Sequence, residues 1–205
     1  MVTAATDIEI KPFLSFTKKG DIIITGIGIP STVYHLTRVL AEHQFDFVIQ
    51  AGIAGTFHEN YIPGQVFAVE KDTFADIGAK ETGKLKSIFD MRLVSSNTFP
   101  FQNGWLENRD FPKAAAHLPK CNAVTVNTLS DDRTYVNHLK NKFSADIESM
   151  EGAAFHYVCL QQKVPFMQLR SISNQVGERD KTHWHMEKAI ANLNAELINL
   201  FTDLR

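Results

Sequence analysis

The run VPFMQLRSIS, residues 164–173, decides how this chain folds. Its apolar residues are too continuous for a strand wetted on one face, so the run reads as a strand buried on both sides. It ends in a polar cluster, NQVGERD (174–180), whose first residue is an amide, Asn174. Four other β-rich runs share its character: DIIITGIG (21–28), FDFVIQAGI (45–53), QVFAVEKDTFA (65–75) and NAVTVNT (122–128). Between or after them STVYHLTRVLAEH (31–43), DRTYVNHLKNKF (132–143), MEGAAFHYVCLQQ (150–162) and HWHMEKAIANLNAELINLF (183–201) carry apolar residues at helical spacing. Strand followed by helix, repeatedly, predicts an α/β sheet covered on both faces. In residues 76–121 Gly, Pro, Asn and charges interrupt any period, and NTFPFQNGWLENRDFP (97–112) reads as a long loop over the sheet.

The 205 residues suit one domain, 1–205, and 44% hydrophobic residues fill a sizeable core. No repeat or linker-like segment divides the chain. Twenty-one Lys and Arg against 23 Asp and Glu leave a formal charge of −2, so the footprint of a nucleic-acid binder is missing. The two cysteines, Cys121 and Cys159, read as buried thiols in a reducing compartment. No leader-like segment opens the chain and no apolar run approaches the roughly 20 residues of a membrane helix. A soluble, cytoplasmic protein with no membrane partner is expected.

In open α/β sheets, ligands gather where the carboxyl ends of strands meet the next loop. Gly26 and Gly28 of TGIGIPST sit at such a place, but Ser31 occupies the third glycine position of G-x-G-x-x-G and Pro30 stands where the helix begins. A tight strand-to-helix turn suffices, with glycines that let a small ligand approach the backbone. ADIESMEGAAF (145–155) places Glu148 and Glu151 around Met150, where a short strand turns into an Ala-rich helix. Spacing of three puts both carboxylates near one face of the first turn, where the helix dipole favours anions; Glu148 reads equally as a capping charge. Glu151 begins a helix apolar enough to be buried, and a buried carboxylate needs donors, which adjacent sugar hydroxyls offer. Glu9, after the first strand, is a second acidic candidate or a solvated loop charge.

AATDIEI (4–10), TGIG (25–28), QAGIAGTF (50–57), SMEGAAF (149–155) and RSISNQVGERD (170–180), in that order, resemble the nucleosidase and nucleoside phosphorylase superfamily, and within it the futalosine hydrolases, relatives of methylthioadenosine/S-adenosylhomocysteine nucleosidase. The resemblance implies a three-layer α/β/α sandwich around a mixed, partly barrel-like sheet, and N-glycosidic cleavage of a purine nucleoside without metal or cofactor. It implies that Met150 and Glu151 lie under the ribose and bind its 2′ and 3′ hydroxyls, and that Glu9 holds the attacking water as general base. Asn174 would donate to the departing base, with Ile53, Gly55, Arg170 and Phe101 completing the substrate-binding set.

In such cleavage the ribose gains positive and the purine negative charge, so Glu9 and Glu151 serve one end and a donor at N7 the other. Asn174 favours a 6-oxopurine, whose O6 and N7 both accept and would meet two amide hydrogens. For the 5′ end of futalosine, an aromatic carboxylate, Phe57, Phe101 and Trp105 are candidates for an apolar slot and Arg109 or Arg133 for the cation. His183 and His185 lack further partners at metal-ligand spacing and read as surface or substrate-tail residues. The family also implies a homo-oligomer. Two alternatives stay open. A phosphorylase is disfavoured because Glu9 and Ile53 stand where phosphorylases place Gly, Arg and a hydroxyl. A non-catalytic nucleoside-binding protein is suggested by Asn174, where many nucleosidases carry Asp.

Overall fold

In the computed structural model of the chain, residues 1–17, 22–81 and 84–203 are described. The strands are β1 (Val2–Ala4), β2 (Ile22–Ile24), β3 (Val48–Thr56), β4 (Val66–Asp72), β5 (Gly78–Glu81), β6 (Lys84–Ser87), β7 (Leu106–Glu107), β8 (Lys120–Thr125), β9 (Ile147–Ser149) and β10 (Phe166–Gln175). The helices are α1 (Lys11–Phe16), α2 (Ile29–Glu42), α3 (Arg133–Phe143), α4 (Gly152–Gln162) and α5 (Met186–Asp203).

Five strands close on one another. β10 pairs antiparallel with β4, β4 parallel with β8, β8 parallel with β9, β9 antiparallel with β3, and β3 parallel with β10. The ring is a mixed five-stranded barrel, and β1 and β2 continue in parallel from β3 as an open extension. Ala54, Phe67, Val69, Cys121, Ala123, Ile147 and Ile172 fill its interior, where small residues on β3 and β8 make room for the ring of Phe67.

Helices cover the outside on two sides. Leu193, Leu197 and Leu200 of α5 and Phe13 of α1 pack on Ile49, Ala51, Met167 and Leu169. Leu36 and Leu40 of α2 with Phe155 and Val158 of α4 pack on Val48 and Phe166. The run at 164–173 is apolar at both parities for this reason: Met167 and Leu169 face α5, Phe166 faces α4, and Ile172 points into the barrel. Fully burying each such side chain is worth about 1.5–3 kcal/mol.

The boundaries shift where backbone geometry overrides apolar content. The run at 21–28 forms a strand only over Ile22–Ile24, because Gly26 and Gly28 adopt φ of +81° and +88° and turn the chain into α2; Asp21 lies outside the described residues. Residues 76–121, where the sequence shows no period, contain the β5–β6 hairpin and, within the stretch 97–112 expected as a loop, the two-residue β7. These strands are too short, and β5 too exposed, to leave a periodic signal. Helix α1 was not anticipated; six residues with one buried side chain, Phe13, carry no readable stripe. Asn194, buried in α5, fixes it: its Oδ1 accepts from Phe13 N at 3.0 Å and its Nδ2 donates to Glu9 O at 2.8 Å. Both cysteines are free and buried. Among the described residues no helix is long and apolar enough to cross a membrane.

Candidate active site

A cavity of about 480 Å³ opens at the carboxyl ends of β1, β3 and β10, beside β9 and the start of α4. Glu9, Ile53, Gly55, Met150, Glu151 and Asn174 all line it. Four separate elements of the chain therefore meet at one wall.

Glu9 is buried, at 8% exposure, and is not a solvated loop charge. Its Oε2 accepts from Thr6 N and Thr6 Oγ1, both at 3.0 Å, and its Oε1 accepts from Ile53 N at 3.2 Å. A backbone N–H thus aims at each oxygen, an arrangement only the carboxylate satisfies on both sides. The T-x-x-E spacing of Thr6 and Glu9 is the reciprocal pattern seen at helix starts, a signal available in the sequence and not used there.

Glu151 is the residue before α4, and its carboxyl group reaches the start of α2, where Oε1 accepts from Gly28 N at 3.0 Å. The TGIG turn therefore holds the Glu151 carboxylate at the positive end of a helix. Burial raises the Glu151 pKa and nearby Glu9 adds to it, while Arg170 and the Gly28 N–H pull it down.

Arg170 does not line the cavity and is corrected from a substrate ligand to a support beneath it. At 1% exposure, its Nη2 donates to Gln50 Oε1 at 2.8 Å and its Nη1 stands 3.8 Å from Glu151 Oε2. Gly52 makes room for it, since a Cβ there would fall 2.1 Å from Nη1. The Gln168 amide extends the support. Because Arg170 only donates, Gln168 is assigned with its oxygen toward Arg170 Nε at 3.0 Å and its nitrogen toward His156 Nε2 at 2.8 Å and Asp72 Oδ2 at 3.3 Å. His156 Nδ1 donates to Leu106 O at 2.9 Å, and burial holds its pKa down at about 4, so the ring stays neutral. Burial likewise raises Asp72 to about 6, although Thr125, Arg170 and Gln168 oppose it.

Gly152 packs against this network. A Cβ there would lie 2.2 Å from both Asp72 Oδ2 and Gln168 Nε2. Gly152→Ala is expected to destabilise the protein by about 1–3 kcal/mol through overpacking, read as a lower urea midpoint at unchanged slope.

Asn174 leaves β10 where the strand bulges. Its Nδ2 donates to Gln175 O at 2.8 Å, and a carbonyl only accepts, so the nitrogen must be on that side. Its Oδ1 accepts from Ser173 Oγ at 2.7 Å. One amide hydrogen is thus committed to the backbone, and a single N–H remains for a ligand instead of the expected two.

Glu148 belongs to β9 and not to the first turn of α4, so the two carboxylates do not share a helix face. It is 6% exposed and lines the cavity. Burial, with Asp76 adding and Arg179 opposing, raises its pKa to about 7.

The residues expected at the far end of the ligand lie elsewhere. Phe101 packs edge-on against Phe74 and Phe89, away from the cavity, because its loop folds back over the β4 end. Phe57 joins the core under α3, and Trp105 packs on Phe143 beneath Lys71. Arg109 pairs on the surface with Glu107, and Arg133 opens α3. The cavity instead takes its far wall from Ile8, Ile27, Trp184 and Met186, with Arg179 and Lys181 as cations. Trp184 Nε1 donates to Glu178 O at 3.0 Å, and Arg179 lies over its ring at 5.7 Å. His183 pairs with Glu178 at 3.0 Å, next to this wall. Among the described residues no group of His, Cys, Asp and Glu is placed to hold a metal ion.

Residues 15–203 match the phosphorylase superfamily, and the chain belongs to that family. A futalosine hydrolase of Thermus thermophilus is 29% identical over 173 residues, spanning 82% of this chain and 75% of its own length. A 5'-methylthioadenosine/S-adenosylhomocysteine nucleosidase of Buchnera aphidicola is 26% identical over 201 residues, or 94% and 83% of the two chains. The solved futalosine hydrolase of Helicobacter pylori shares the fold with a TM-score of 0.80 at 17% identity, over 98% of this chain and 96% of its own.

Proposed function

We propose that this chain hydrolyses the N-glycosidic bond of a 6-oxopurine nucleoside, and that its substrate is futalosine, released as hypoxanthine and dehypoxanthine futalosine on a route to menaquinone. The coarser statement, that it is a hydrolase of the nucleosidase kind, rests on relatives that bear those names. The observation that carries the finer one is the fixed amide of Asn174. With one hydrogen held by Gln175 O and Oδ1 turned toward Ser173 Oγ, the side chain offers the base an N–H where an Asp carboxylate would offer only oxygens. N7 and O6 of hypoxanthine accept such a donor, whereas the 6-amino group of adenine would face it unpaired. The bond strengthens as negative charge builds on the leaving base, the condition for accelerating the reaction.

Water as nucleophile is supported by Glu9, whose surroundings Ala5, Thr6, Ile8 and Ile53 offer phosphate no cation. Arg170 nearby is sealed and already engaged by Gln50 and Glu151. The apolar far wall with Arg179 and Lys181 suits an aromatic carboxylate.

Release of hypoxanthine from inosine and futalosine, with and without phosphate, tests the reading; strict dependence on phosphate would overturn it. Asn174→Asp, which restores an acceptor, is expected to move the ratio of 6-oxo to 6-amino turnover toward the amino base by about tenfold or more. An unchanged ratio would return Asn174 to the role of a turn residue.

A further inference from the structure

Glu148 is a buried carboxyl group that faces the cavity, and among the described residues no group hydrogen-bonds it. A buried polar group without a partner calls for one. Strand register says where that partner would sit. Gly55 of β3 stands opposite Glu148 on one side and opposite Asn174 on the other. Residues directly opposite across a strand pair point to the same face, so both side chains rise on the same side of Gly55. Their backbones are two strand spacings apart, about 9–10 Å. Between them Gly55 has no side chain, and a Cβ there would already meet Val176 Cγ2 at 3.0 Å and Asn174 Nδ2 at 3.4 Å. Val176 and Asn174 thus already crowd this position, and only glycine leaves the interval between amide and carboxyl group free of a further side chain.

We infer that Glu148 is the second base-reading residue of this site: its carboxylate accepts the N1–H of a 6-oxopurine lying over Gly55, while Asn174 donates to the N7 edge. A planar base with a hydrogen bond of about 2.9 Å at each edge fills that interval. The inference rests on the purine reading above and adds a second discrimination, at N1, to that of Asn174 at the N7 edge. A 6-oxopurine carries a hydrogen on N1, whereas a 6-aminopurine has a lone pair there, which a carboxylate repels. The groups facing Glu148 are Asp76 after β4, Arg179 after β10 and Tyr135 of α3. None of them takes the hydrogen-bonding role, and N1–H fills it.

The test compares wild type with Glu148→Gln, whose amide can either accept or donate, and with Glu148→Met, which does neither. The ratio of kcat/KM for a 6-oxo nucleoside over its 6-amino counterpart is expected to fall by about tenfold or more in both variants. In wild type it should be larger at pH 8 than at pH 6, since the acceptor form prevails above about pH 7, and it should be flat in both variants. A ratio that stays within twofold of wild type in folded variants, or a wild-type ratio independent of pH, overturns the inference. Calorimetric binding of free hypoxanthine and adenine separates this result from the enzymatic reading. Glu148-dependent discrimination between the bases without any nucleoside turnover would sink the hydrolase assignment and leave this one standing; failure of both bases to bind would sink both.

Discussion

Glu9→Gln is expected to lower turnover by about 10²–10⁴ while nucleoside binding stays within a few-fold. The rate loss is that of a positioned general base, and the geometry explains why an amide cannot stand in for it. One oxygen of Glu9 meets the N–H of Thr6 and the other the N–H of Ile53. Whichever way a Gln amide is turned, its NH₂ faces a backbone donor, so the group loses its charge and its seat together. The ribose contacts proposed for Glu151 and the base contacts proposed for Asn174 lie on other elements and should survive, which confines the damage to the chemical step. Single-turnover rates and the affinity for a non-hydrolysable nucleoside check both halves. A variant retaining more than about a tenth of the wild-type rate would show that Glu9 does not activate the water.

Arg170→Met should cost about 3–5 kcal/mol of stability, the penalty for removing one partner from a buried charged network. The guanidinium is 1% exposed and stands between Gln50, Gln168 and Glu151. Without it Glu151 and Asp72 lose the positive charge that opposes their desolvation. The loss should depend on pH in a defined direction. Burial pushes the Asp72 carboxyl group up to about 6 in the folded protein, above the ordinary carboxylate range, so its ionisation already costs stability as pH rises toward that value. Removing Arg170 raises the folded pKa of both acids further. The difference between wild type and variant is therefore expected to be larger at pH 8 than at pH 5, where protonation relieves the buried carboxyl groups. Urea denaturation at the two values measures it, and an equal difference at both would mean that the charge of Arg170 is not what the site needs.

What could be read from the sequence follows the range of the interactions involved. Residues 164–173 reveal a strand buried on both faces because every residue from Phe166 to Ser173 is buried. Glu9, Met150, Glu151 and Asn174 could be singled out because each follows an apolar run closely in sequence, where strand ends place a site. Glu148 stands out with them but as a first-turn or capping charge, since its place opposite Gly55 on another strand is a matter of register between segments about ninety residues apart. Arg170 was misplaced for a related reason. A charge inside an apolar run marks something buried, but only the neighbouring Gly52 and Gln50 show that it is buried beneath the ligand and not beside it. Phe101 and the far-wall residue Trp184 lie in segments without regular structure, whose course no periodicity records.

The bond from Asn194 to the Glu9 carbonyl, 185 positions away in the chain, also sets an order of events during synthesis. Every other segment that builds the cavity leaves the ribosome before α5 does. Until that helix emerges, the turn that carries Glu9 lacks the side chain that anchors it and α1 lacks its partner in Phe201 and Leu197. At about 5–20 residues per second, the nascent chain spends seconds with its barrel strands made and its acidic centre unassembled. Assembly of the wall that carries Glu9 thus waits for α5, and a chain stalled before that helix would leave the Glu9 turn without its anchor.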